Sequence, residues 1–410
     1  MGYRSAGQRL PRTVWVLIAA RGVNRLGAFS LPFLAVLITG RYDAAPATAG
    51  LVVAVFGLAT IPSRLAGGRL ADRLGRRRTM VAGLVGCAVA QAGIAAAPNL
   101  TAAVGFAVLL GLVFELYEPP SQAMIADAVG EAARVRAYSL LNAALAAAGL
   151  AAGMLAAGLG RWDLRWLFVA DAATCLLCAL LVHGALPADR PKTGGEGDGR
   201  AVVAPWRDRT LLSMLFTGTL FALVYLQITI MLPLAMAHRG LEPADAGLLL
   251  AVSALAIVLG QPLLRLKPLS DWSAPAAFAI GGVLLAAGVA GYAVADGLGG
   301  HFVATVVWSA GDLLLVGRAL AIVAELAPPG GTGRYLAVYG TAWGIAAVVA
   351  PLLGTQLLDH AGVAGMWSVM AGLCVVLAVV QPAVVRAAAV RRAGRFRGAA
   401  PGGLPGGILP

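Results

Sequence analysis

The apolar residues of this chain come in unbroken runs of about twenty or more, not in the alternating or one-faced patterns of soluble elements, and this feature most restricts its fold. A soluble core could not hold them: 60% of the 410 residues are hydrophobic and 12% charged, whereas soluble domains carry roughly a quarter charged. The runs must be buried in lipid. There every backbone N–H and C=O needs an internal partner, which leaves helices and closed barrels. Barrel strands would alternate apolar and polar residues over about ten positions. Continuous runs therefore predict an all-α integral membrane protein.

Bounding the runs by Pro, Gly and charge gives twelve expected transmembrane helices: 13–39, 47–67, 79–97, 100–125, 136–159, 165–186, 210–237, 244–266, 274–295, 301–326, 334–358 and 364–387. The one long polar connection, 187–209, splits them into two six-helix bundles. The expected organisation is an N-terminal bundle at 1–186, a cytoplasmic linker at 187–209, a C-terminal bundle at 210–387 and a disordered basic cytoplasmic tail at 388–410. Six spans, a linker and six spans is the outline of an internal duplication. The first run carries Arg21, Asn24 and Arg25 and continues to Thr39, longer than the apolar core of a cleavable signal.

The net charge of +12 lies between the spans, which argues against nucleic acid as a partner. Of the 31 Lys and Arg residues, 24 fall on one side, with Arg64 counted in the loop after the second span. Only Arg41, Arg161, Arg165 and Arg239 fall on the other, and Arg21, Arg25 and Arg318 lie within spans. This asymmetry predicts a multi-pass protein of the cell membrane with both termini cytoplasmic. The basic tail is expected to touch anionic lipid headgroups. Cys87, Cys175, Cys178 and Cys374 all sit in apolar runs and read as small apolar residues. The four histidines, His183, His238, His301 and His360, are scattered at span ends. With no metal-spaced cluster, nucleotide loop or nucleophile–base constellation, no catalytic residue, metal site, cofactor or ATP dependence is expected.

The basic stretch after the second span reads Gly68-Arg69-Leu70-Ala71-Asp72-Arg73-Leu74-Gly75-Arg76-Arg77-Arg78. Gly68, Asp72, Arg73, Gly75, Arg76 and Arg77 meet a known loop pattern in full, and the chain thereby resembles the major facilitator superfamily. Glu118-Pro119-Pro120, Ala123 to Asp127, Tyr225 to Pro233 and Gly333-Arg334-Tyr335 are similar to its twelve-span drug:proton antiporter branch. Two departures are visible. Ala107 stands where antiporters of this branch place an Arg, and Gly149 to Met154 lacks their Gly-Pro, although Gly149, Gly153 and Ala157 keep a small-residue stripe. The resemblance implies that Gly68 lets the second and eleventh spans approach and that Asp72 caps the start of span eleven. The arginines would hold the cytoplasmic face closed. It also implies that spans one, four, seven and ten line a central cavity.

Charges inside spans are costly and mark candidate pathways. Arg21 and Arg25 share a face of span one, Glu115 and Glu118 a face of span four. By helical rise Arg21 lies roughly 12 Å deep, and Glu115 approaches a comparable depth from the other end, so an Arg21/Arg25 to Glu115/Glu118 cluster is expected. In span ten, Arg318 and Glu325 share a face, while Asp312 lies near the midplane with no partner on its own helix. A desolvated acid without a countercharge is the first choice for a proton-binding group, a structural hydrogen-bonded acid being the alternative. Glu115 and Glu118 are the other proton-coupling candidates. Asn24, Tyr225, Gln227 and Trp308 are candidates for the few polar and aromatic contacts of a substrate cavity, with Asn142 and Trp343 weaker.

The function expected from these residues and this resemblance is proton-coupled efflux of small amphipathic or hydrophobic compounds by alternating access. A monomer in membrane lipid would use the proton gradient as its energy source. Uptake or facilitated diffusion of a small metabolite is the alternative, and a non-transporting receptor or membrane enzyme a lower one.

Overall fold

The structure, a computed structural model, describes residues 10–27, 33–159, 163–189, 205–241, 245–328 and 330–398. Among these residues every regular element is helical: α1 (Arg12–Gly27), α2 (Leu34–Tyr42), α3 (Pro46–Leu74), α4 (Arg76–Ala96), α5 (Leu100–Phe114), α6 (Glu118–Ala128), α7 (Glu131–Leu159) and α8 (Arg165–Ala185), then α9 (Arg209–Ala237), α10 (Asp245–Gly260), α11 (Lys267–Ser270), α12 (Ala274–Val294), α13 (Leu298–Leu326) and α14 (Thr332–Gly398). Among the described residues, eleven stretches are long and apolar enough to cross a membrane. α1 and α2, on either side of residues 28–32, occupy the place of the first expected span. α14 contributes two of the eleven, Thr332–Gly354 and Gln356–Val390, and its backbone turns at Gly362, where φ is 66°. The chain is an all-α integral membrane protein.

Polar side chains mark where helices begin. Asn99 accepts from the Ala102 N–H at 2.9 Å to start α5, and Asp208 accepts from Thr210 N at 3.0 Å and Leu211 N at 3.3 Å to start α9. Each satisfies donors that the first turn leaves open. Leu180, Leu259 and Val379 stay exposed, as lipid-facing residues do in a bundle whose backbone is satisfied internally.

Several expectations need correction. Span four, read as continuous over 100–125, is broken: residues 115–117 form a turn between α5 and α6. Pro119 and Pro120 have no N–H to donate back to the carbonyls of residues 115 and 116, so the helix cannot run through. The basic stretch is not a loop, because α3 continues to Leu74 and only Gly75, at φ 99°, separates it from α4. Arg64, assigned to the loop, therefore lies inside α3 and is buried. Beyond residue 388, where a disordered tail was expected, α14 remains helical to Gly398, in keeping with its Ala and Arg content. Residues 399–410 lie outside the described residues, as do the linker residues 190–204 and the Gly153 and Ala157 side chains of the α7 stripe.

The chain before the linker and the chain after it meet along two seams, α3 and α6 with α14, and α7 with α10 and α13. The first seam is tight at the end of the bundle that carries the basic stretch. A Cβ on Gly68 would lie 3.0 Å from Ala337 Cβ and 3.2 Å from Gly333 O. One on Gly344 would lie 2.7 Å from Ile61. Between them a Cβ on Gly340 would overlap the Arg64 guanidinium itself. From Gly333 to Gly344 this seal runs about 16 Å along α14.

Candidate functional site

The turn at residues 115–117 places two carboxylates in the middle of the first half, where α1 and α3 bring two guanidinium groups. Arg64 Nη1 donates to Glu115 Oε2 at 2.7 Å, and its Nη2 lies 3.9 Å from Glu118 Oε1. Arg21 Nη1 pairs with Glu118 Oε2, and its guanidinium lies over the Tyr117 ring, 5.1 Å from the centroid. Gln122 Nε2 completes Glu118 at 2.7 Å, and Ser63 Oγ accepts from the Glu115 N–H at 3.1 Å. Two cations and two anions make the cluster formally neutral, which is what buried charge requires.

The expected cluster thus forms with one change of member. Arg64 takes the place assigned to Arg25, because α3 reaches deeper than the sequence reading allowed. Arg25 is exposed and projects past Gly149 of α7, where a Cβ would lie 3.7 Å from its Nε. No described residue pairs with it.

From Arg21 the polar contacts continue through the bundle. Tyr117 Oη donates to Asn24 Oδ1, and Asn24 Nδ2 donates to Cys175 Sγ at 3.4 Å. Cys175 lies 3.7 Å from Asp171 Oδ1, whose Oδ2 accepts from Gln91 Nε2 at 2.5 Å. Asn24 therefore belongs to this buried network, not to a cavity wall. Asp171, 2% exposed in α8, was missed, although an acid inside an apolar run is the kind of signal that identified Asp312.

Arg21→Ala alone is expected to leave Glu118 charged without its nearest partner, and Glu118→Ala the reverse. Each should cost about 3–5 kcal/mol of stability, and the double variant less than their sum by 1 kcal/mol or more, on the order seen for direct contacts. Denaturation of all three variants in detergent checks this; strictly additive losses would show that the two side chains act independently.

Asp312 lies on α13 where it faces α7. It is 2% exposed; its Oδ2 is 3.5 Å from Asn142 Nδ2 across the seam between the halves, and its Oδ1 has no hydrogen-bond partner among the described residues. Tyr225 of α9 lies within electrostatic range of both Asp312 and Arg25. Tyr225 meets Trp343 edge-on with ring centroids 5.3 Å apart, Trp308 at 6.1 Å and Phe221 at 6.4 Å. Trp343 is partly exposed, so Tyr225 and Trp343 form the accessible edge of this aromatic group. Trp308 is fully buried and donates through Nε1 to Tyr292 Oη at 2.8 Å, which makes it a packing residue behind Tyr225.

Three other expected residues are engaged elsewhere. Gln227 is fully buried; with its amide oriented to satisfy both ends, it donates to Ala350 O at 2.8 Å and accepts from Gly354 N at 3.1 Å. It thus wedges into the α14 ladder next to Pro351. Arg318 Nη1 donates to Leu314 O at 3.0 Å and Nη2 to Leu269 O at 3.4 Å. It is not paired with Glu325, which lies within electrostatic range of Arg134.

At the basic end, Asp72 pairs with Arg334 in the first turn of α14, so its contact with that helix is an ion pair across the seam. Arg76 Nη1 lies 2.5 Å from Asp127 Oδ2 at the end of α6, and Arg77 Nη1 donates to His183 O at 3.1 Å and Leu186 O at 3.2 Å. Arg73 is exposed. Asp189 accepts from the backbone N–H groups of Arg77 and Arg78, both at 2.9 Å.

Membrane-spanning helices in two halves, meeting at a sealed end and around a buried acid, define a membrane transporter. The chain belongs to the Major Facilitator Superfamily, whose family model matches residues 17–317 and 214–405. Among curated relatives, the uncharacterized MFS-type transporter YqjV of Bacillus subtilis is 25% identical over 88% of this chain and 90% of its own. A Na(+), Li(+), K(+)/H(+) antiporter of Planococcus maritimus is 25% identical over 78% and 83%. The multidrug resistance protein MdtH of Cronobacter sakazakii is 30% identical over 50% of each chain. Among solved structures, the human organic anion transporter MFSD10 shares the fold, with a TM-score of 0.75 and 19% identity over 91% of this chain and 100% of that one.

Proposed function

We propose that this transporter exports small amphipathic or hydrophobic compounds in exchange for protons, by alternating access between its two halves. Asp312 carries the reading. It is a carboxylate deep in the bundle with one oxygen unpartnered among the described residues, on the seam that must rearrange when access switches, within electrostatic range of an aromatic edge suited to an apolar substrate. A proton and a substrate that compete for this acid are exchanged, because each disfavours binding of the other. The similarity to a multidrug resistance protein and to a proton antiporter supports the same direction. In this reading the halves are 1–186 and 210–387, the basic end and both termini are cytoplasmic, and a monomer suffices. Energy comes from the proton gradient, with Glu115 and Glu118 as secondary proton candidates.

A second reading rests on Arg25. A guanidinium with no ion-pair partner among the described residues, within electrostatic range of Tyr225, suits an anionic metabolite, and protonation of Asp312 would leave this region positive and favour that anion. Proton and substrate would then move together, as uptake. Proteoliposomes with an imposed pH gradient separate the two. Efflux predicts that a lipophilic dye is driven opposite to the protons; organic anion accumulation in the same direction as the protons would replace it with the second reading.

A further inference from the structure

At the basic end, between α3, α14 and the 3-10 turn Pro205–Arg207 that precedes α9, lies a cavity of about 320 Å³. Its walls include Arg69 and Arg73 of α3, Arg334 of α14, Trp206 of the turn, and the apolar Leu65 and Val338. Leu65, Arg69 and Arg73 are spaced by four and stack along one face of α3. The wall therefore grades from apolar to cationic within two turns.

The charge of this cavity is unbalanced. Arg69 and Arg73 are exposed, and no described acid pairs with either. Asp72, the nearest acid on α3, is paired with Arg334. Asp208, two residues after Trp206, is fully buried, caps α9 and accepts from Tyr335 Oη at 3.0 Å. Among the described residues, three guanidinium groups against one carboxylate leave an excess of two positive charges. The level in the membrane is also defined. Arg69 and Arg73 fall in the last two turns of α3, Arg334 in the first turn of α14, and the half-exposed Trp206 just before α9. Helix ends carrying Arg and Trp sit where lipid headgroups lie.

We propose that this cavity binds the headgroup phosphate of an anionic phospholipid, phosphatidylglycerol in chemistry, drawn from the leaflet at the basic end. The phosphodiester takes forked hydrogen bonds from Arg69 and Arg73, a geometry that guanidinium groups match. The glycerol and first acyl carbons lie against Leu65 and Val338, and Trp206 covers the headgroup side. Because α3 belongs to the first half and α14 and the turn to the second, one lipid holds both and favours the state closed at this end. The inference does not depend on the direction of transport or on its coupling.

The full-length protein in nanodiscs, with phosphatidylcholine alone or mixed with phosphatidylglycerol, tests it by native mass spectrometry of retained lipid. Wild-type protein is expected to retain phosphatidylglycerol selectively. Arg69→Gln/Arg73→Gln should weaken this by about fivefold per arginine removed, whereas Arg78→Gln, at an exposed arginine outside the cavity, should not. Should the double variant fail to fold, Arg69→Gln alone serves. Equal retention of the two lipids by wild type, unchanged retention by the cavity variant, or an equal loss in Arg78→Gln overturns the site. Displacement by soluble glycerol 3-phosphate at matched phosphate concentration would reassign it to a free phosphate and overturn the lipid.

Discussion

Asp312→Asn is expected to abolish gradient-driven accumulation while leaving downhill movement of substrate intact. One pH unit is worth about 1.4 kcal/mol per proton, or about tenfold accumulation at one proton per substrate, and the variant should fall to no accumulation. Asparagine keeps the size of the side chain and can still bond with Asn142, so the site remains packed while its proton-binding group is gone. The acid has one weakly held oxygen and one without a hydrogen-bond partner among the described residues, a poor arrangement for a purely structural role, in which both would be satisfied. Flux in proteoliposomes, measured with and without an imposed gradient, gives the answer. Full gradient dependence in Asp312→Asn would move the coupling site to Glu115 or Glu118.

Gly340→Leu should have the opposite kind of effect, trapping one state instead of uncoupling the cycle. Its side chain cannot coexist with the Arg64 guanidinium, which fills the space beside Gly340. Either Arg64 leaves Glu115, stranding a buried carboxylate at about 3–5 kcal/mol, or α14 separates from α3 and the basic end opens. Arg64 is held at 2.7 Å inside its own half, whereas the two halves are joined here mainly by close packing, so separation is the cheaper response. A bias of about 3 kcal/mol or more shifts the two-state ratio by over a hundredfold. Transport should fall by a similar factor. Spin labels at the exposed Leu74 and Arg209 should report a longer distance than in the parent protein, and adding Arg64→Ala should restore the shorter one. An unchanged distance in Gly340→Leu would mean that this contact does not hold the end closed.

The fold was readable because it rests on long-range regularities: apolar runs for the spans and a full set of motif residues for the second and eleventh helices. Local helix limits were not, and the misplaced site residues follow from that. Arg64 was counted with the loop because a run of arginines begins near it, and only the length of α3 shows that it is inside the bundle. The break in span four was legible in Pro119-Pro120, and with it the position of Glu115 in a turn. Asn142 opposite Asp312 was not, since a contact between α7 and α13 depends on how the halves dock. Gln227 and Trp308 show the limit of reading polar residues in spans as cavity lining. Both have their hydrogen bonds satisfied by neighbouring helices, and nothing in a single sequence distinguishes that from exposure to a ligand.

The capping of α4 by Asp189 bears on how the two halves are mechanically related. Asp189 ties the end of the first half to the basic turn at Gly75, where a Cβ would collide with its carboxylate, and the chain is anchored again where Asp208 caps α9. The sixteen residue-to-residue steps from Asp189 to Pro205 have a covalent reach of at most about 55 Å, several helix diameters of about 10 Å. That covalent reach exceeds a rocking motion of a few ångströms many times over, so chain length alone does not limit it. The contacts that pass between the halves at α3–α14 and α7–α13 are then what keeps them in step, and a cut between Asp189 and Pro205 that leaves both anchors in place should spare turnover.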